Sequence, residues 1–186
     1  MNRFAFSDLP LFGLKLIERQ RLGDSRGFLS RLFCSDELAL AGWHKPIAQV
    51  NHTFTDKRGT VRGLHYQLSP HSEMKLVTCI RGEVWDIVVD LRKGSPTFLH
   101  WHAEILAADN NKALLIPEGL AHGFQTLTHD VTLVYCHTSA YSSESERGIN
   151  AQDQQLSINW PLEITEISLK DANHPMLDLK FEGLKL

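Results

Sequence analysis

Pro117-Glu-Gly119-Leu-Ala-His122 separates two short apolar runs, residues 113–116 and 123–127. Pro has a fixed φ and no N–H to give to a sheet, and Gly adopts turn conformations that other residues resist, so the stretch reads as strand, turn, strand. The same punctuation recurs outward from it. Strand-like runs are expected at residues 14–22, 48–54, 75–80, 84–91, 98–106 and 131–138, with Asp24-Ser-Arg-Gly27 as a turn after the first. Runs this closely spaced, with turn residues between them, argue for an antiparallel sandwich or barrel. Helix is expected only in short pieces. Residues 35–42 form one, with Ser35 or Asp36 as N-cap and Gly42 ending it, and a helical turn starts within residues 168–172.

At 186 residues the chain is long enough for one domain with a sizeable core and short for two. No low-complexity segment, linker or repeat divides it, so a single domain is expected over 1–186. A formal net charge of -3 gives no basic stripe, and neither nucleic acid nor an anionic membrane is expected as a partner. Affinity for a phosphorylated ligand must then come from a few well-placed Arg and Lys. Ten His raise the prospect of proton transfer or metal binding without choosing between them. Cys34, Cys79 and Cys136 are odd in number and lack CxxC spacing, which speaks against a disulfide framework or zinc ribbon. No opening run has signal-peptide length and no later stretch could span a bilayer, so a reducing cytoplasm is the expected setting.

The Pro-x-Gly-x2-His spacing resembles the second motif of cupins, in which the Pro and Gly turn the chain and the His points into a barrel. Metal-binding cupins also carry His-x-His followed by a Glu, seven residues before a Gly. Here the second position is Gln67, and seven residues before Gly82 stands Lys75. An ammonium where a carboxylate ligand belongs repels a divalent ion and is a poor ligand while charged. The resemblance therefore implies an all-β, cupin-type jelly roll with a few short helices and no metal.

Arg62-Gly-Leu-His65-Tyr-Gln67 is the densest chemical cluster. On a regular strand Arg62 and His65 would point to opposite faces; a bulge, for which Gly63 is the suitable residue, would bring them together. Taken singly, His65 reads more readily as a hydrogen-bonded core histidine, and Arg62 as a rim charge, than as groups that carry chemistry. Gln49 and Asn51 share one face of a strand, Lys75 begins an otherwise apolar one, and Arg92 follows Asp86-Ile-Val-Val-Asp90-Leu. Each alone suits an exposed end; together they would line one barrel with cations, amides and a histidine.

At this point the chain resembles the dTDP-4-dehydrorhamnose 3,5-epimerase family over nearly its whole length. The matching segments begin with Asp24-Ser-Arg26-Gly27-Phe28, Gln49-Val-Asn51-His52, Arg62-Gly-Leu-His65-Tyr-Gln67, Lys75-Leu-Val and Asp90-Leu-Arg92-Lys-Gly-Ser-Pro-Thr-Phe98. They continue through Ile116-Pro-Glu-Gly-Leu-Ala-His122-Gly-Phe124, Tyr135, Tyr141, Glu146-Arg-Gly-Ile149 and Ser168-Leu-Lys170-Asp171. Each is a weak signal, but their collinear order is not. The resemblance implies a homodimer without a cofactor, acting on a nucleoside-diphosphate 4-keto-6-deoxyhexose. It assigns His65 as the base, Asp171 as its partner, Lys75 to the sugar C4 oxygen and Tyr135 as the acid on the opposite face. Arg26, Gln49, Asn51, Arg62, His122, Glu146 and Lys170 match positions that hold substrate, and Tyr141 an aromatic near the nucleoside. Arg26 is the candidate for a contribution from the partner subunit.

Two departures stand out. The family carries a Glu soon after its Arg-Gly turn, where this chain has Arg31, and a Tyr-Tyr pair is reduced to Ala140-Tyr141. One reading adds Arg31 to the substrate-binding set and changes the nucleotide, for example to a cytidine or guanosine diphosphate sugar. The other makes Arg31 a surface ion pair with specificity unchanged. Epimerisation at C3 or C5 alone, a non-catalytic sugar-binding cupin and a metal-dependent cupin enzyme are the competing functions.

Overall fold

The turn at Pro117 and Gly119 joins two strands, and Gly119 adopts φ +80°, a region that favours glycine. A methyl at Gly119 would lie 2.5 Å from Arg92 Cγ, so close packing as well as conformation selects the residue. The computed structural model describes residues 2–186; Met1, the first residue of the expected single domain, lies outside them. The strands are β1 (Phe4–Asp8), β2 (Lys15–Arg19), β3 (Arg21–Asp24), β4 (Gly27–Ser30), β5 (Gln49–Thr55), β6 (Thr60–Gln67) and β7 (Lys75–Arg81). They continue with β8 (Glu83–Asp90), β9 (Trp101–Ala107), β10 (Lys112–Ile116), β11 (Leu120–Thr126), β12 (Val131–His137), β13 (Glu146–Gly148) and β14 (Glu166–Ile167). The helices are α1 (Ser35–Ala39) and α2 (Leu169–Ala172).

One sheet has the order β1-β2-β10-β7-β12-β5, and the other β13-β6-β11-β8-β9 with β14 added parallel to β6. The two make the expected all-β, cupin-type jelly roll. Between them lies a core drawn from both: Val77, Leu114 and Leu133 from the first, Val84, Val88 and Phe124 from the second. Full burial of each such side chain contributes about 1.5–3 kcal/mol. The outer faces are covered as well. Leu38 and Trp43, in and just after α1, pack on Leu76 and Leu115 of the first sheet, and the C-terminal stretch covers Ile87 and Val89 of the second through Leu156, Trp160 and Phe181.

The expected elements are present with local corrections. The run at 14–22 breaks at Gln20, whose N–H bonds Arg3 O, because β2 pairs β1 and β10 whereas β3 leaves the sheet to form a hairpin with β4. The Asp24–Gly27 turn closes that hairpin. The N-cap of α1 is Cys34, with extended backbone and no side-chain cap bond, since Ser35 and Asp36 are already helical. The helix ends at Ala39 with Leu40 as its C-cap, short of the expected Gly42, which takes φ +101° in the turn that follows. The strand expected at 98–106 starts only at Trp101, because the preceding turn is tied to buried Asp90 by Ser95 Oγ (2.5 Å) and Thr97 Oγ1 (2.7 Å). Burial pushes the Asp90 carboxyl up, but these bonds and that of Arg92 outweigh it and hold the pKa at about 2. No run was expected at β1, β4, β13 or β14, and β6 was considered as a strand only conditionally. The helical turn expected within 168–172 is α2, and Ser168 caps it, accepting from Asp171 N at 3.0 Å.

Candidate active site

β6 is bulged where the glycine is. His65 faces His122 on β11 and Arg62 faces Phe124, so three steps on β6 match two on β11. Gly63 takes φ +110°, and a methyl there would lie 2.7 Å from His122 O and Gly123 Cα. The extra residue turns Leu64 fully into the outer core while Arg62 and His65 both line one cavity of about 290 Å³. A two-residue alternation could not have put them on the same side.

The cavity opens between the two sheets. Arg62, His65, His122 and Glu146 come from the second sheet; Gln49, Asn51, Lys75, Tyr135 and His137 come from the first. His65 Nε2 meets Asp171 Oδ1 at 2.8 Å, and Asp171 Oδ2 accepts from Gly63 N at 3.1 Å. Burial tends to raise the Asp171 carboxyl, yet the His65 and Gly63 hydrogen bonds outweigh it and its pKa falls below the ordinary value. A carboxylate accepting from Nε2–H leaves the lone pair of a neutral His65 on Nδ1, the nitrogen free to take a proton.

Lys75 is 7% exposed, with Nζ 3.1 Å from Glu73 Oε1 and 3.5 Å from His65 O. Glu73 also bonds His137 Nδ1 at 2.9 Å. Burial pushes the Glu73 carboxyl up, but His137 and Lys75 together bring it below its ordinary value, so the buried cation has a charged partner. His122 Nε2 lies 2.9 Å from both oxygens of Asp86, which is fully buried and whose pKa burial raises. Tyr135 stands edge-on to His122 with ring centres 6.0 Å apart, and burial raises its phenol pKa strongly. At the rim, Glu146 accepts from Tyr141 Oη (2.9 Å) and Lys170 Nζ (2.6 Å), and Gln49 accepts from Tyr141 N (2.9 Å) and donates to Asn51 (3.1 Å).

Arg26 and Arg31 lie outside the cavity. Arg26 sits on the β3–β4 hairpin, 88% exposed at its side chain, paired with Asp24 at 2.5 Å. Arg31 pairs with Glu37 of α1, which also accepts from Phe4 N. Gln67, at a cupin ligand position, spends its amide on His71 O, Ala140 O and Ser142 N. Sequence reasoning missed Asp86, Glu73, His137 and His174. Asp86 had a signal: an acid inside an otherwise apolar strand is kept only if it has a buried partner. His137 is brought in by its cross-strand pairing with Lys75, whereas Glu73 and His174 stand in loop next to Lys75 and Asp171, where no local pattern marked them.

A sequence profile of the family described as dTDP-4-dehydrorhamnose 3,5-epimerase matches residues 8–178. The chain is 43% identical over 159 residues to dTDP-4-dehydrorhamnose 3,5-epimerase of Shigella flexneri, covering 85% of this chain and 87% of that protein. It is 38% identical over 178 residues to dTDP-4-dehydrorhamnose 3,5-epimerase of Sinorhizobium fredii, covering 95% and 91%. Among solved structures, dTDP-6-deoxy-D-glucose-3,5-epimerase of Legionella pneumophila, in complex with dTDP-4-keto-L-rhamnose, superposes with a TM-score of 0.91 at 37% identity, covering 98% of this chain and 99% of that one.

Proposed function

Because the chain belongs to the dTDP-4-dehydrorhamnose 3,5-epimerase family, we propose that its cavity inverts the carbons beside the ketone of a dTDP-4-keto-6-deoxyhexose by removing a proton with His65 and returning one from Tyr135. The chain is a nucleotide-sugar epimerase, so the step to be catalysed is loss of a weakly acidic proton next to a carbonyl. That step needs a base and something to stabilise the enolate. His65 Nδ1 takes the proton from C3 or C5. Asp171 holds the tautomer and supports the imidazolium that forms, as the carboxylate does in Ser-His-Asp sites. Lys75 neutralises the charge growing on the C4 oxygen. Tyr135 then delivers a proton to the other face of the carbon.

The observation that carries this reading is the placement of His65 and Tyr135 on different sheets across one cavity. Inversion requires removal from one face and return to the other, and two facing walls provide that. Gln49, Asn51, Arg62, His122, Tyr141, Glu146 and Lys170 are assigned to holding the nucleotide sugar; Arg62 suits a diphosphate because its planar fork makes paired charge-assisted bonds. Arg31 is removed from that set. Its guanidinium is engaged by Glu37, so the change at this position leaves the dTDP nucleotide in place. In D₂O with dTDP-4-keto-6-deoxyglucose, the protein is expected to introduce deuterium at both C3 and C5, read by proton NMR. Exchange at one carbon would make it a single-site epimerase, and none from folded protein would overturn the reading.

The protein is further assigned as a homodimer. The β3–β4 hairpin presents Phe28 and Leu29, 61% and 66% exposed, beside Arg26, which supports a partner copy covering the hairpin and receiving Arg26 into its site. Light scattering is expected to return twice the mass of one chain; a monomer would overturn this assignment.

A further inference from the structure

Beside the His65–Asp171 pair stands a second histidine that the proton transfers do not use. His174 Nε2 is buried and has no hydrogen-bond partner among the described residues. It lies 3.6 Å from Asp171 Oδ1, and the ring is edge-on to His65 with centres 5.5 Å apart. The ring rests on the backbone of Gly148, where a methyl would come within 2.3 Å of Nε2. A buried nitrogen without a partner forfeits the hydrogen bond it made in water, so this placement needs a reason. One ligand atom from each of His65, Asp171 and His174 falls within 4.8 Å of the others. Around a tetrahedral ion with bonds of about 2.0–2.2 Å, neighbouring ligands stand about 3.3–3.6 Å apart. The spacings of 2.8 Å and 3.6 Å to Asp171 Oδ1 are close to that edge.

We propose that His65, Asp171 and His174 form a binding site for a divalent transition-metal ion such as Zn²⁺, and that the ion switches the epimerase off. Two imidazoles and a carboxylate suit zinc-like ions, with water completing the sphere. This is not the cupin metal position, where Gln67 and Lys75 stand. Inhibition follows from the tautomer. The ion takes the Nε2 lone pair of His65, so the ring's single proton moves from Nε2 to Nδ1, and Asp171 exchanges a hydrogen bond for a metal bond. Nδ1 then faces the cavity as an N–H and has no pair to accept a substrate proton. The inhibitory half rests on His65 being the base; the binding half does not.

The test uses full-length protein and two variants, His174→Gln and His174→Ala, each checked for folding by circular dichroism. Calorimetry with Zn²⁺ and visible absorption with Co²⁺ are expected to show one ion per chain in wild type. Affinity in both variants should fall at least about 10-fold, the loss that even an outer-sphere partner brings. Saturating Zn²⁺ should suppress deuterium exchange by the wild type, and chelation should restore it. Equal binding in wild type and variants would overturn the site. Binding that depends on His174 with exchange unaffected by the ion would overturn the switch. Exchange absent even from metal-free protein would count against the epimerase roles instead, and leaves the metal titrations fully readable.

Discussion

Replacing His65 by Ala lowers deuterium exchange at C3 and C5 by about 10²–10⁴-fold, the usual contribution of a positioned general base. The fold should tolerate the change. The side chain is 33% exposed and looks into the cavity, whereas its neighbour Leu64 carries the packing on the other side of the strand. Asp171 keeps its bonds from Gly63 N and its place on α2. A base role and a structural role are separated by adding imidazole to the variant: a small base entering the vacated space restores part of the exchange only if the lost group was transferring protons. The cavity's other histidine–aspartate pair sets the opposite outcome. His122 is 6% exposed and both its partner oxygens belong to a fully buried Asp86, so it is less accessible to a substrate carbon than His65. Exchange in the variant within about tenfold of wild type would nonetheless transfer the role to that pair, since a smaller effect is below what a general base contributes.

What could be read in the chain follows from how local each cause is. The turn at Pro117 and Gly119, the alternation of β5 and β12 and the helical turn within residues 168–172 are set by residues within a few positions, and each lies where the sequence places it. The bulge at Gly63 was legible for the same reason, because a glycine between Arg62 and Leu64, just before His65, marks a place where the register can slip. The charge partners were not. Asp86 reaches His122 from the neighbouring strand, Glu73 bridges nearby Lys75 and distant His137, and Arg31 meets Glu37 six positions on, in α1. Sheet order determines the Asp86–His122 and Glu73–His137 contacts, and sheet order is written in long-range packing. β1 shows the same limit: it exists by pairing with β2, not by a pattern of its own. Arg31 illustrates the consequence for function: the sequence left it open between a ligand contact and an ion pair, and in the structure it pairs with Glu37 of α1.

The second large effect is expected at Tyr135, and its form is more informative than its size. Tyr135→Phe removes one hydroxyl and keeps the ring that packs in the core with Leu133 and Val77. Burial holds the phenol pKa well above its ordinary value, so across the working range the wild-type group remains a proton donor and does not titrate. In the variant the substrate still meets His65, which loses its captured proton to solvent and returns deuterium to the same face. Exchange with retention therefore continues, while formation of the inverted sugar falls by about 10²–10⁴-fold. NMR separates the two events, because retained and inverted products differ in their ring couplings. Loss of exchange and inversion in equal measure would show that Tyr135 supports the enolate or the pocket and is not the second acid. Undiminished inversion would put the returning proton on another group of the first sheet, from which Lys75 also lines the cavity. Both results bear on the same geometric point: an epimerase must reach a carbon from two sides, and a sandwich whose sheets each contribute one titratable wall can do so without moving the sugar between the two proton transfers.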